Sequence, residues 1–142
     1  MIMDTQISDR SHVAELLRRH DIIPTHQRLV IAQTLFSRKQ HVSADQLLCL
    51  VNDQHEEVSK ATIYNTLNLF EEKGLVRGVV VDPERVFYDT NTLPHHHFFD
   101  VESGILMDIE SEGLSVEGLP PLPHGMIQEG VDIIVRIRRQ YQ

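Results

Sequence analysis

Apolar residues recur along the first 90 positions with helical spacing and then with the alternation of strands. In "SHVAELLRRH", residues 11–20, Val13, Leu16 and Leu17 fall on one side of a helix. Pro24 breaks that pattern. Thr25 then caps a second helix, "THQRLVIAQTLF", which offers Leu29, Ile31, Ala32 and Leu35 to a core. His41-Val42-Ser43 opens a third helix, with Ser43 as its cap and Leu47, Leu48 and Leu50 as its apolar side. Ser59 caps a fourth, "KATIYNTLNLFEEKG", in which Ile63, Leu67 and Phe70 form one stripe and Gly74 suits the stop. The period then changes. "LVRGVVV" and "RVFYDT" are β-branched or aromatic runs joined by "DPE", a turn signal. Short helices followed by a two-stranded hairpin outline a winged helix, in which the last helix before the hairpin enters the major groove.

The second half is β-rich. "HHHFFD" and "ILMDIE" flank the turn candidate "VESG", and "VDIIVRIRR" reads as a strong strand. Between them "SEGLSVEGLPPLPHG" is too rich in proline and glycine for a long helix. The fold class is therefore α+β.

With 142 residues the chain suits one domain or two small ones, and 41% hydrophobic content is enough for a core. No apolar run approaches the roughly 20 residues that span a bilayer. The start, "MIMDTQISDR", lacks the basic and apolar regions of a signal peptide, so a cytoplasmic protein is expected. Cys49 is the single cysteine, which excludes an internal disulfide and any zinc site built on cysteine pairs; in "DQLLCLV" it reads as a small buried hydrophobe. The net charge of −8 weighs against nucleic-acid binding, but the distribution reverses the weight. Residues 1–85 carry 10 Lys/Arg against 12 Asp/Glu, whereas residues 86–142 carry 3 against 9. The first half can present a local basic face; the second can attract cations.

On the fourth helix the exposed side carries Lys60, Thr62, Tyr64, Asn65 and Asn68. Thr and Asn hydrogen-bond to base edges, Tyr contacts thymine methyls or phosphate, and Lys60 stands where a phosphate would lie. One reading head of this size covers few base pairs, so a dimer on a two-fold-related site is expected.

Three consecutive histidines stand in "LPHHHFFDVESGILMD", residues 93–108. On a strand His95 and His97 share one face, roughly 6.5–7 Å apart along the chain, and His96 points to the other. Two imidazoles at that separation can share a metal with bonds of about 2.0–2.1 Å. If residues 101–104 form the loop, His97 lies opposite Asp108, and opposite residues share a face. Asp89 is a further oxygen donor just upstream, with Tyr88 beside it. A mixed histidine and carboxylate set suits Fe2+, Mn2+ or Zn2+ better than a soft ion. Phe98 and Phe99 read as core. His12, His20, His26, His55 and His124 read as exposed or capping.

"HVSADQL", "SKATIYNTLNLFEEKGLV" and "HHHFFDVESG" resemble the ferric uptake regulator family of bacterial metal-dependent repressors over nearly the whole chain. "YDTNTLPHHHF", the missing Cys pairs and the ending "VDIIVRIRR" resemble its iron response regulator branch. The resemblance implies an N-terminal winged-helix DNA-binding domain (residues 1–90) and a small β-rich dimerisation and metal- or haem-sensing domain (residues 91–142). It implies His41 as the ligand from the DNA-binding half, His95 and His97 as the two histidines of the family's motif, and Asp108 as the acidic ligand beyond Gly104. The remaining acidic ligand falls at Tyr88 or Asp89, of which Asp89 suits a hard ion. His96 is left for a second metal or for haem, since Pro94 takes another ligand position of that second site. Tyr64 matches the family's DNA-contacting tyrosine, while Asn65 stands where many members have arginine. Where many relatives bear Cys-x-x-Cys for structural zinc, this chain has Asp100 and Ser103, so no four-cysteine zinc site is expected. The region 111–130 implies a reduced dimer helix.

The expected protein is a homodimeric repressor, not an enzyme, that binds double-stranded inverted-repeat operators of iron homeostasis genes in response to a divalent metal or haem. The hinge is expected near Thr90–Pro94. Two rivals stand beside it: a winged-helix repressor that needs no metal, and a hydrolase using the His/Asp cluster, which would want a spare acid or base that the pattern does not offer.

Overall fold

The computed structural model describes residues 9–54, 58–110 and 114–141. The chain divides into two compact units, Met1–Thr92 and Leu93–Gln142.

The first unit opens with helices α1 (Arg10–Arg19) and α2 (His26–Leu35), capped by the side chains of Asp9 and Thr25. Strand β1 (His41–Ser43) and helices α3 (Ala44–Gln54) and α4 (Lys60–Glu72) follow, then strands β2 (Arg77–Asp82) and β3 (Arg85–Asp89). The three strands form an antiparallel sheet in the order β1-β3-β2. β1 corrects the expected start of the third helix. Val42 is buried between two half-buried neighbours, and the free edge of β3 offers Tyr88 as its partner. Ser43 nonetheless caps α3: its Oγ accepts from the Gln46 amide at 3.1 Å, and the Gln46 Oε1 accepts from the Ser43 amide at 2.9 Å. This is a reciprocal capping box that satisfies two otherwise orphaned donors.

The α4 stripe is the centre of the first core. Ile63, Leu67 and Phe70 are fully buried, together with Val13, Leu17, Ile31, Leu35, Leu47 and Val51. Burial of each such side chain contributes roughly 1.5–3 kcal/mol, so the stripe fixes which side of α4 faces outward. Gly74, with φ of 78°, ends the helix in the left-handed conformation that side chains disfavour. Cys49 is exposed on α3, contrary to expectation; it follows Leu47 by two residues, which on a helix turns it away from the buried Leu47–Val51 side.

In the second unit β4 (His96–Asp100) pairs antiparallel with β5 (Leu106–Ile109) and parallel with β6 (Ile134–Ile137), in the order β5-β4-β6. The connecting turn is fastened by Asp100, whose carboxylate accepts from the Glu102 and Ser103 amides at 2.9 and 3.3 Å. The Glu102 amide first, and then the Ser103 side chain, hold the Asp100 carboxyl below the usual carboxylate range. β6 is shorter than "VDIIVRIRR" suggested, because only Ile134–Ile137 follow the β4 edge. Phe99 is buried as expected, but Phe98 is exposed, since consecutive strand residues face opposite ways. Residues 114–133 carry no helix or strand and are almost all exposed. No helix among the described residues is long and apolar enough to cross a membrane.

Candidate metal centre and recognition helix

β4 and β5, with His95 just ahead of β4, gather three donors in the second unit. The register puts His97 opposite Asp108 and His96 opposite Ile109. His97 Nε2 lies 3.2 Å from Asp108 Oδ1, and His95 Nε2 lies 3.3 Å from the same oxygen. The two imidazole centroids are 4.5 Å apart with their planes inclined by 55°. His97 is 1% exposed and Asp108 45%, so the cluster has a buried side and an open side.

These separations match those of a coordination sphere. Bonds of about 2.0–2.1 Å in a tetrahedron keep neighbouring ligand atoms about 3.3–3.4 Å apart, and octahedral bonds of similar length keep them about 3.0 Å apart. Both imidazole–carboxylate separations are those of neighbouring ligands on one small divalent ion. The tautomer fits as well. His95 Nδ1 lies 2.7 Å from the Leu93 carbonyl oxygen, so it donates there and leaves Nε2 with its lone pair toward the cluster. Ligating histidines characteristically donate their second nitrogen in this way.

His96 points elsewhere. Its Nδ1 accepts from the Ile133 amide at 3.0 Å, ahead of β6. With that lone pair engaged, a neutral His96 carries its proton on Nε2 and has no second lone pair for a metal. In this conformation His96 ties β6 to β4. Asp100 and Ser103 are joined to one another in the turn.

The first unit holds a second imidazole–carboxylate pairing. His41 on β1 is the cross-strand partner of Asp89 on β3, and Arg77 on β2 completes the row. Asp89 is buried, and its carboxylate accepts from the Asn91 amide at 2.9 Å. Tyr88 belongs to the hydrophobic core of this unit. Burial, and after it the charges of Glu71 and Tyr64, push its phenol up from the ordinary value of 10.0, which keeps it protonated and a poor ligand for a hard ion.

On α4, Tyr64, Asn65, Asn68 and Lys60 are exposed. Lys60 Nζ lies 3.4 Å from Asp45 Oδ1 and 5.9 Å from the centre of the Tyr64 ring. Exposed pairs of this kind stabilise by about 0–1 kcal/mol, so Lys60 can exchange Asp45 for a phosphate at small cost. Thr62 is half-buried and its hydroxyl lies 2.9 Å from the Ser59 Oγ inside the helix cap, which leaves it less available than expected. His12, His26 and His124 are exposed, and His20 hydrogen-bonds to the Leu16 carbonyl; His55 lies outside the described residues.

A helix with its polar side outward, followed by a wing and then by a sheet that collects imidazoles and a carboxylate, is the layout of a metal-responsive transcription regulator. Residues 20–118 match the ferric uptake regulator family, and the chain belongs to it. Its members are transcription regulators, not enzymes. The peroxide-responsive repressor PerR of Staphylococcus aureus strain Mu50 is 30% identical over 112 residues, 76% of each chain. Among solved structures, the ferric uptake regulator of Vibrio cholerae shares the fold with a TM-score of 0.70 at 17% identity, over 89% of this chain and 99% of that one. The Francisella tularensis regulator, solved with iron, gives 0.68 at 22%, over 82% and 91%. The architecture is thus a winged helix followed by a small β-rich unit.

Proposed function

We propose that this chain is a homodimeric repressor of iron homeostasis genes whose affinity for inverted-repeat operators depends on occupancy of the His95, His97 and Asp108 cluster. The observation that carries the reading is the approach of two imidazole nitrogens to one carboxylate oxygen, at 3.2 and 3.3 Å, with the His95 tautomer already suited to ligation.

His41 and Asp89 are the proposed remaining ligands, on the strength of the family motif and of their pairing across β1 and β3. A divalent ion so held would couple the DNA-reading unit to the dimerising unit. The donor set is hard or borderline and contains no thiolate, which favours Fe2+ or Mn2+, with Zn2+ as a competitor. Haem is a second effector suggested by the triple histidine and the iron response regulator resemblance, and it would use His95 and His97. Lys60, Tyr64, Asn65 and Asn68 would meet the operator, with Thr62 chiefly serving the cap.

Self-association is supported by the outer face of the second sheet. Phe98, Met107 and Val135 lie in one cross-strand row, each 37% exposed. An apolar row of this kind on a small sheet favours burial against a second copy.

The test is a gel-shift titration with Mn2+, Fe2+, Zn2+ and haemin, using a duplex selected by the wild-type protein from a randomised pool. Wild type should respond to at least one effector, and the His95→Ala/His97→Ala double variant should not. An identical response from both proteins would refute the assignment of the site.

A further inference from the structure

A side chain of the recognition helix reaches the edge of the wing. Glu71 lies in the last turn of α4, and its Oε2 accepts a hydrogen bond from the Gly78 amide on β2 at 2.9 Å. Among the described residues β2 is an edge strand, paired only with β3. The Gly78 amide therefore points outward, where an edge strand otherwise presents its donors to water. Glycine leaves room for the carboxylate to reach the strand. A Cβ on Gly78 would overlap the Glu71 Oε2. The overlapping atom is the end of a flexible chain, so any larger residue would displace the carboxylate and leave the fold standing. The two positions form a matched pair: an acid long enough to reach the strand, and the one residue that lets it arrive.

The bond spans the stop at Gly74 and the buried residues Leu75 and Val76. Those fix where the chain turns, and the ladder to β3 with buried Val79 and Val81 fixes how the strand lies in its sheet. A charge-assisted hydrogen bond from the helix to the outer edge of the strand adds a direct tie between helix and sheet edge. The cost is an acidic group on the outward side of a helix proposed to face phosphates, where electrostatics alone would disfavour it.

We propose that Glu71 is a positioning residue for operator binding: through Gly78 it sets the stance of the wing relative to α4, so that helix and wing meet the duplex together. The proposal rests on the DNA-reading role of α4 given above. It makes a prediction of sign. Were Glu71 only an exposed acid, Glu71→Ala would remove repulsion and bind DNA more tightly. As a clamp, its loss weakens binding in spite of the relieved repulsion.

The experiment measures affinity for the selected duplex across a salt series, for wild type, Glu71→Ala, Glu71→Gln and Gly78→Ala, with a thermal melt of each. Glu71→Ala and Gly78→Ala should bind about tenfold more weakly, and the slope of log affinity against log salt should fall by about one unit for each phosphate that the wing no longer reaches. Glu71→Gln keeps an acceptor and sheds the charge, so it should bind at least as well as wild type with its slope preserved. Lower melting temperatures with unchanged slopes would mark a merely structural bond and overturn the proposal, as would equal or tighter binding by Glu71→Ala. A wild-type protein that selects no duplex would overturn the DNA reading itself, and the proposal with it.

Discussion

His97 and Asp108 stand directly opposite one another across the β4–β5 hairpin, with Nε2 and Oδ1 3.2 Å apart. In the first unit His41 and Asp89 are also cross-strand partners. Antiparallel pairing puts such residues on one face at close range, so a sheet needs only one imidazole and one carboxylate in register to present half of a metal site. The Asp100 turn sets the register of the His97–Asp108 pair, because its length decides which residue meets His97.

His96 should prove dispensable for the metal. Its Nδ1 is engaged with the Ile133 amide. His96→Asn, which offers an oxygen acceptor at a similar reach, should leave Mn2+ stoichiometry and affinity within about twofold of wild type, as read by calorimetry. His96→Ala should speed hydrogen exchange at the Ile133 amide. Loss of metal binding in His96→Asn would show that this ring ligates after all.

The hairpin register follows from reading "VESG" as a four-residue loop, which puts His97 opposite Asp108. The α4 stripe was legible because Ile63, Leu67 and Phe70 keep one spacing. Other features were hidden for identifiable reasons. β1 is three residues long and runs directly into a helix cap, so its local pattern says helix start; only the distant edge of β3 makes it a strand. β6 pairs parallel with β4 at a large separation in sequence, and no turn signal announces such a pairing. The exposure of Phe98 and Cys49 could have been read from period alone, since each neighbours buried residues on the opposite side of its element. The Glu71–Gly78 bond left no trace in the pattern, being one polar approach between adjoining elements.

The apolar row on the second sheet carries a prediction about assembly. Phe98 has Met107 on one side and Val135 on the other. Met107→Asp/Val135→Asp places two carboxylates in that row and should weaken self-association at least about tenfold, seen by sedimentation as a shift toward monomer. The first unit's melting should be unaffected. A variant that remains as dimeric as wild type would place the interface elsewhere.

Tyr88 gives the first unit a signature at alkaline pH. Its folded pKa is raised, chiefly by burial and then by Glu71 and Tyr64. The folded state thus retains a proton that the unfolded chain releases above the ordinary value of 10.0. Stability is fully present below that value and declines as pH rises beyond it. Tyr88→Phe should show a shallower decline in denaturant midpoint from about pH 10 upward. A decline as steep as that of wild type would assign the alkaline lability to other groups.

The most direct test of metal sensing is the Mn2+ response of DNA affinity in wild type and in Asp108→Ala, followed by fluorescence anisotropy on the selected duplex. Removing one ligand of such a site should weaken Mn2+ binding by at least about tenfold. Wild-type affinity should therefore change on adding Mn2+, and Asp108→Ala should need at least about tenfold more Mn2+ for the same change. A wild type indifferent to Mn2+, Fe2+, Zn2+ and haemin alike, or a variant that responds at wild-type concentrations, would contradict a metal-sensing role for this cluster.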